Sequence, residues 1–300
     1  MSLSGATRRE DREAEAEDRA DGEEVTTKFK SPSDSASESP ADSPAGSPFE
    51  LPPELRTEAA SAPVITTIPA KKFGEYNLVG KLGHGGMAKV LLAYVDGPGD
   101  VKKLVVVKRL HRHLQASKDH VKMFLDEARL AARMNHPNVI QTYELGDIDG
   151  SYFMAMEYLE GQSFDRIWRL SSGGGERMSF PLVARVIADA LNGLGYAHDL
   201  KDFDGSPLGI IHRDISPQNI FVTYEGSIKI LDFGVAKAAT QATNTESGIL
   251  KGKCSYVAPE QAHGQPIDRR VDIWSMGVVL WETLVGRRLF KAANDAATLI

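Results

Sequence analysis

The stretch HRDISPQN, residues 212–219, combines an acid and an amide in a short segment. Asp214 precedes Asn219 by five residues, so one carboxylate could take a proton from a substrate hydroxyl while one amide oxygen binds a metal ion. Ser216 lies between them, where a site for phosphoryl transfer would be expected to carry a positive charge. The spacing therefore indicates acid–base and metal chemistry with one charge missing.

A second candidate metal ligand is Asp232 in ILDFG, residues 230–234. It follows apolar strand residues and precedes a glycine that frees the chain, and Mg²⁺ prefers hard carboxylate oxygens. A strand that simply ends in a turn is the alternative for the same residues.

The stretch LGHGGMAKV, residues 82–90, places glycines between two segments that alternate like strands. Such glycines let backbone N–H groups approach phosphates. The stretch is not a dinucleotide fingerprint, because a strand follows it, and it lacks the GK[ST] of a Walker A loop. An ordinary hairpin turn is the alternative.

A lysine and a glutamate could complete a phosphate site. Lys108 ends the β-branched stretch VVVK, and Glu127 lies beside the apolar stripe of a helix predicted over 121–134. Together they could form an ion pair that holds Lys108 against phosphate oxygens. The alternative is that the two residues do not interact, in which case Lys108 is a lysine at the edge of a sheet and Glu127 is a solvated carboxylate.

The elements that must position these residues divide into a strand-rich half and a helix-rich half, with a join near residues 157–161. In the first half, two strands flank the glycines within 76–94, and others are predicted over 102–110, 139–148 and 151–159. In the second half, helices are predicted over 180–200 and 271–286, and short strands over 219–223 and 227–233.

Charge is concentrated at the N-terminus. Residues 1–70 carry 7 basic and 15 acidic side chains, whereas the rest of the 300-residue chain is nearly neutral, which argues against a nucleic-acid partner. The first 70 residues are also rich in Ser and Pro, so we predict a disordered tail, with a regulatory tail phosphorylated at Ser-Pro sites as the alternative. The single cysteine and the lack of a signal peptide or membrane segment lead us to expect a cytoplasmic protein.

The order of the motifs is more specific than any one of them. G-x-G, VVVK, a helical Glu, HRD-x₄-N, DFG and APE occur once each, in sequence, on suitable elements. This set resembles the protein kinase family over residues 76–300, and GGM, HPN and APEQ are similar to the bacterial eukaryotic-like serine/threonine kinases. The resemblance implies an α+β, bilobal protein-kinase-like fold, with a small antiparallel β-sheet lobe and one helix (76–158) and a larger, mainly helical lobe (159–300).

The resemblance also implies roles for individual residues, with ATP and Mg²⁺ as cofactors. Lys108, paired with Glu127, holds phosphates; Asp214 accepts the hydroxyl proton. Asn219 and Asp232 hold Mg²⁺. The implied ATP-binding residues are Leu82, Gly83, His84, Gly85, Gly86, Met87, Ala88, Lys89, Val90, Lys108, Met156, Glu157 and Leu159. Asp272 braces the catalytic loop, and Arg213 implies control by phosphorylation at Thr240, Thr243, Thr245 or Ser247.

The chain departs from the family pattern at several positions. Ala88 replaces the third glycine of the loop, and Ser216 replaces the lysine that stabilises the transferring phosphoryl group. Lys253 replaces a threonine that touches that lysine in the usual arrangement. We therefore hypothesise a swap, in which Lys253 supplies the missing catalytic charge; two unrelated changes are the alternative.

Kinase domains of this family continue for some tens of residues beyond a position such as Ile300. We therefore expect an incomplete larger lobe, with an apolar exposed face and with Glu260 buried and lacking its arginine partner.

The expected function is ATP-dependent phosphorylation of serine and threonine hydroxyls on protein substrates, in signalling. A dimer would allow autophosphorylation. A pseudokinase that acts as a nucleotide-binding scaffold is the main alternative, and phosphorylation of a small molecule on the same fold is another.

Overall fold

The computed structural model describes residues 66–173, 177–233 and 254–292, together with residue 298. Several predictions lie outside these residues: the tail up to residue 65, the side chain of His84, the candidate charge donor Lys253, and the four candidate phosphosites Thr240, Thr243, Thr245 and Ser247.

The smaller lobe is built on a six-stranded antiparallel sheet in the order β1-β2-β3-β4-β6-β5. The strands are β1 Thr66–Phe73, β2 Tyr76–His84, β3 Ala88–Asp96, β4 Lys102–Leu110, β5 Thr142–Ile148 and β6 Ser151–Glu157. Strands β3 and β4 pair without interruption, and Val90 lies opposite Lys108. This register places the glycine loop beside the lysine.

Strand β1 is absent from the sequence prediction. It pairs with β2, and it contains residues 66–70, which composition assigns to the tail. The boundary at residue 70 is therefore wrong for these five residues. Composition misses them because β1 is an edge strand with one neighbour, and exposed Lys71 and Lys72 make its end as polar as the tail.

Two helices connect β4 to β5: α1 over Arg112–Gln115 and α2 over Lys118–Arg133. Helix α2 begins after Ser117, whose hydroxyl accepts a hydrogen bond from the backbone N–H of His120 at 3.5 Å, as expected of an N-cap. Its apolar stripe buries Phe124 and Ala128, and Glu127 is buried beside them.

The larger lobe holds a small antiparallel sheet and, within the described residues, four helices. The strands, in the order β7-β8-β9, are β7 Gly161–Ser163, β8 Ile220–Thr223 and β9 Ile228–Ile230. The helices are α3 Phe164–Gly173, α4 Phe180–His198, α5 Pro259–Ala262 and α6 Arg270–Val285. Sequence periodicity does not predict α3. Gly286 ends α6 in the left-handed conformation, at φ 77°.

A single cluster of buried side chains crosses both lobes, from Phe124 and Met154 in the smaller one to Ile187 and Ile230 in the larger one. The predicted α+β, bilobal arrangement is confirmed. Among the described helices, none is both long enough and apolar enough to cross a bilayer.

Two expectations about the larger lobe have different outcomes. An apolar exposed surface is present, because Ile273 and Trp274 of α6 are exposed and Trp274 stacks on Phe290 with ring centres 6.0 Å apart. The expectation that Glu260 is buried is wrong, because it lies partly exposed in the short α5.

Candidate active site

Lys108 joins three elements of the fold. Its Nζ lies 2.7 Å from Oε1 of Glu127 on α2 and 2.7 Å from Oδ1 of Asp232, just after β9. The lysine and glutamate side chains are only 14% and 11% exposed, whereas Asp232 is 50% exposed. The sequence predicts the pair of Lys108 with Glu127, and the structure adds Asp232 to that pair.

Burial and charge act in opposite directions on the lysine. Burial lowers the pKa of Lys108, but the carboxylates of Asp232 and Glu127 outweigh it and hold the pKa above its ordinary value. Burial also raises the pKa of Glu127, against the ammonium of Lys108. Lys108 therefore keeps its positive charge at neutral pH.

The catalytic loop brings Asp214 and Asn219 together. The amide Nδ2 of Asn219 donates to the backbone carbonyl of Asp214 at 2.7 Å and to its carboxylate Oδ2 at 3.0 Å. The backbone N–H of Leu231 donates to the carbonyl of Asn219 at 2.9 Å. Because Leu231 precedes Asp232, this bond ties both predicted metal ligands to one place.

Asp272 of α6 holds the catalytic loop from beneath. Its carboxylate is fully buried and accepts hydrogen bonds at 2.8 Å from the backbone N–H groups of His212 and Arg213. His198 of α4 lies against the same carboxylate, with Nε2 at 2.8 Å. The two bonds from the backbone support the catalytic loop in the way that the resemblance implies for Asp272. The contact with His198 could not be predicted from the sequence, because His198 lies 74 residues before Asp272.

The backbone at Asp232 adopts a conformation that few non-glycine residues adopt. Asp232 has φ 44°, and Arg213 in the catalytic loop has φ 66°, both in the left-handed region. The imidazole Nε2 of His212 donates to the carbonyl of Leu231 at 2.9 Å, and its ring packs against Phe233. These contacts fix a backbone geometry that costs energy and that commonly marks a functional site.

Gly83 and Gly85, in the loop at residues 83–86, are not required by the packing of the protein itself. A methyl group built on Gly83 would come no closer than 4.0 Å to Val90, and one on Gly85 no closer than 3.5 Å to the carbonyl of Ala88. Internal packing therefore does not require glycine at these positions. Close approach of a phosphate to the backbone is a sufficient reason for it.

His111 reaches this loop from the end of β4, and sequence analysis does not identify it. It is 3% exposed, its backbone N–H donates to the carbonyl of Met87 at 3.0 Å, and its imidazole Nε2 lies 2.9 Å from the carbonyl of Gly85. Because a carbonyl only accepts, Nε2 carries the proton.

The segment between the lobes is also held in place. Met156 is buried in β6, and Leu159 lies two residues beyond the strand end. The carboxylate Oε1 of Glu157 accepts from the backbone N–H of Gln141 at 2.7 Å and from Nζ of Lys229 on β9 at 2.6 Å. Glu157 thus links the two sheets through its side chain, and its own backbone N–H donates to the carbonyl of Gln141 at 2.9 Å.

The protein kinase domain family model matches residues 76–299. The chain belongs to the protein kinase family. Relatives of this kinase include the tyrosine-protein kinase MasK of Myxococcus xanthus (strain DK1622), 46% identical over 243 residues, which are 81% of this chain and 37% of MasK. The serine/threonine-protein kinase PrkC of Bacillus subtilis (strain 168) is 31% identical over 223 residues, 74% of this chain and 32% of PrkC. This chain thus spans about a third of the length of either relative.

The fold of the kinase is also that of a solved structure. The kinase domain of PknI from Mycobacterium tuberculosis has a TM-score of 0.56 and 23% sequence identity, and the match covers 75% of this chain and 78% of that one.

Two of the departures from the kinase pattern, Ala88 and Ser216, fall at buried positions. Ala88 is 3% exposed and Ser216 is 1% exposed, with the Ser216 hydroxyl 3.4 Å from the side-chain oxygen of Gln218. Ser216 therefore faces the inside of the catalytic loop. The swap hypothesis stays a prediction, since Lys253 is outside the described residues.

The kinase site has the oxygen donors that a divalent cation prefers. Asp232 contributes an exposed carboxylate beside Lys108. Asn219 makes both contacts to Asp214 with its amide nitrogen, so the amide oxygen is the atom that remains for a metal. Together with the glycine loop, these residues fit a metal–nucleotide complex.

Proposed function

We propose that this chain transfers the γ-phosphoryl group of ATP to serine and threonine hydroxyls of protein substrates. The observation that carries the proposal is the convergence of Lys108, Glu127 and Asp232 within 2.7 Å contacts, beside the Asp214–Asn219 pair. These residues come from four separate segments of the chain. If the pair of Lys108 with Glu127 only stabilised the fold, the exposed carboxylate of Asp232 would not be needed beside it.

In this proposal, the substrate hydroxyl oxygen forms a bond to the γ-phosphorus, the bond from phosphorus to the ADP oxygen breaks, and Asp214 takes the hydroxyl proton. Lys108 orients the α- and β-phosphates, and the backbone of the loop from Gly83 to Gly86 covers them. Asn219 and Asp232 would hold Mg²⁺, which supplies charge neutralisation on the phosphates.

The nucleotide base is proposed to bind between the lobes. Leu82 and Val90 would pack on its faces, and Met156 would close the inner end. The backbone of Glu157 and Leu159 would meet its polar edge, which leaves the loop residues His84, Met87, Ala88 and Lys89 to contribute main-chain contacts.

The acceptor residue is the finer part of the proposal, and the relatives differ in name on this point. Tyrosine is the second candidate, favoured by the 46% identity to a protein named as a tyrosine kinase. Several relatives named as serine/threonine kinases, at 31–35% identity, favour the first. The pseudokinase alternative has no support among these named kinases.

Arg213 is proposed to bind a phosphate group on the phosphorylated segment at residues 240–247. Its Nε is buried and has no hydrogen-bond partner within the part of the chain that the structure describes. A phosphate on Thr240, Thr243, Thr245 or Ser247 would satisfy such a donor. Incubation with ATP, followed by peptide mapping, should locate phosphate within residues 240–247; its absence there would contradict the proposal. A second-order dependence on enzyme concentration would show that two copies are involved.

Radiolabelled ATP with a generic protein acceptor tests the activity. Label should transfer to protein with the wild type and fall by at least about a thousandfold in Asp214→Asn, since the base is removed while the loop geometry is kept. Phosphoamino-acid analysis then separates serine and threonine from tyrosine. Transfer of label that persists in Asp214→Asn would contradict the assignment of Asp214 as the base. Omission of Mg²⁺ tests whether the transfer requires the metal.

A further inference from the structure

A cavity of about 600 Å³ opens between α3 and the segment that follows α6, separate from the nucleotide cleft. Four of the residues that line it are cationic, namely Arg169, Arg287, Arg288 and Lys291, and no acidic side chain lines it among the described residues. A concave, one-signed surface of this size is the kind of site that binds an anionic group.

Two of the cations are neutralised within the protein. Arg169 pairs with Asp165 at 3.0 Å, and Arg288 pairs with Glu282 at 3.1 Å. Arg287 and Lys291 are exposed, and within the described residues neither has an acidic partner. Arg287 lies over the ring of Trp281 at 5.4 Å. The cavity therefore carries an excess of positive charge.

Arg288, which lines the cavity, is held by a buried hydrogen-bond network. Glu282, which is fully buried, accepts hydrogen bonds from the hydroxyl of Tyr256 at 2.8 Å and from Arg288. Arg288 also bonds the Tyr256 hydroxyl, and its guanidinium lies 5.0 Å from the centre of the Trp168 ring. Burial, together with the charge of Glu282, raises the pKa of Tyr256, so this hydroxyl keeps its proton. Arg288 is thus held in one orientation before any ligand arrives.

Trp168 supplies an independent sign of a ligand. It is 7% exposed and lines the cavity, yet its indole N–H is buried without a hydrogen-bond partner in the part of the chain that is described. A buried donor without an acceptor is costly. A carboxylate in the cavity would satisfy this donor and the excess charge together.

Helix α3, which lines the cavity, and the segment around Tyr256, which contacts Arg288, both lie next to the catalytic loop. Helix α3 packs against the turn at Pro217–Asn219. Tyr256 lies in the turn just before α5, and Gln261 of α5 donates to the carbonyl of Arg213 at 3.5 Å. A peptide whose hydroxyl reaches Asp214 could therefore extend a few residues into the cavity.

We propose that this cavity selects protein substrates with glutamate or aspartate near the phosphorylated residue, and that Arg287, Lys291 and the Trp168 N–H bind those carboxylates. The inference rests on the proposed kinase activity. Arg288 acts as a positioning residue for the other groups.

Peptide phosphorylation tests the preference. A library of peptides with a single serine, threonine or tyrosine, and with one flanking position at a time fixed as Glu, Ala or Lys, is presented to the full chain. We expect Glu to be favoured over Lys by about tenfold in kcat/KM at one or more positions, and we expect this preference to weaken as salt rises. Equal rates for Glu, Ala and Lys at every position would overturn the proposal.

Charge reversal locates the effect. In the double variant Arg287→Glu with Lys291→Glu, the preference should disappear or invert, whereas Lys71→Glu, an exposed reversal on β1, should keep it. Trp168→Phe retains the ring and removes the N–H, so the KM for acidic peptides should rise about threefold while kcat is kept. A preference that survives the double reversal would place recognition elsewhere and overturn the assignment.

A hexaglutamate peptide has no hydroxyl side chain to phosphorylate, so its binding separates this inference from the proposed activity. Fluorescence anisotropy measures that binding. If no peptide or protein is phosphorylated, the proposed function fails, and salt-sensitive hexaglutamate binding that is lost in the double reversal still supports an anion-binding site. Absence of binding, alongside normal phosphorylation of neutral peptides, overturns the cavity proposal alone.

Discussion

The imidazole of His111 donates a hydrogen bond to the backbone carbonyl of Gly85 at 2.9 Å and so fastens the glycine loop to the end of β4. The backbone N–H of the same histidine holds Met87. Since Lys108 is three residues earlier on that strand, one short segment positions both the loop and the lysine.

We predict that His111→Ala raises the KM for ATP by about tenfold with a smaller change in kcat, because the carbonyl of Gly85 loses the donor that His111 provides and the loop loses its anchor. His113→Ala is the matched control, since His113 is exposed and stacks on His111. Steady-state kinetics at varied ATP measures the split. A lower melting temperature with an unchanged KM would show that His111 serves stability alone.

We predict that Glu127→Gln lowers kcat/KM by about a hundredfold, because a buried lysine loses one of its two carboxylates. Asp126→Asn on the same helix, where Asp126 pairs with the exposed Arg129, should change the rate less than about twofold. Steady-state kinetics of both variants measures the contrast, and equal losses in the two would contradict a special role for Glu127.

The pH dependence of the same pair follows from the pKa of Lys108. In the folded state the two carboxylates raise this pKa, so the contribution of Lys108 to stability is complete below its ordinary value and is lost only as pH rises through the higher, folded value. We therefore expect no loss from this group between about pH 6 and 9. In Glu127→Gln the folded pKa of Lys108 should lie closer to its ordinary value, so the alkaline loss should be smaller and should be complete at lower pH. Unfolding followed across alkaline pH measures this difference.

We predict that Lys253→Ala lowers kcat by about a hundredfold if Lys253 supplies the charge absent at Ser216, which is the typical scale for removal of one stabilising donor. Ser216→Lys in the Lys253→Thr background should restore most of the rate. A kcat near wild type in Lys253→Ala would exclude the swap.

We predict that Asp272→Asn costs about 3 kcal/mol or more in unfolding free energy, because an amide nitrogen would face the N–H groups of His212 and Arg213 in a buried site. The exposed Asp268→Asn, two residues before α6, is the control. Denaturant unfolding measures the difference, and a change below about 1 kcal/mol would mean that the loop is held by other contacts.

Sequence alone determined the family and most of the elements. The apolar period predicts a helix over 121–134, where α2 lies over Lys118–Arg133, and the β-branched stretch predicts β4 at its observed bounds, because each has a strong local pattern of apolar residues. The motif residues Lys108, Glu127, Asp214, Asn219 and Asp232 are identifiable because their types and their order along the chain match one family throughout.

Only the tertiary structure decided which residues support these motifs. His111 and His198 act through contacts between segments far apart in the chain, and no local pattern encodes such contacts. The edge strand β1 escapes sequence analysis for a related reason, since it is stabilised by pairing with β2 rather than by its own composition. Secondary structure and motifs can be predicted because they depend on residues that are close in sequence. The positions of the catalytic side chains depend on contacts that form only when the chain has folded.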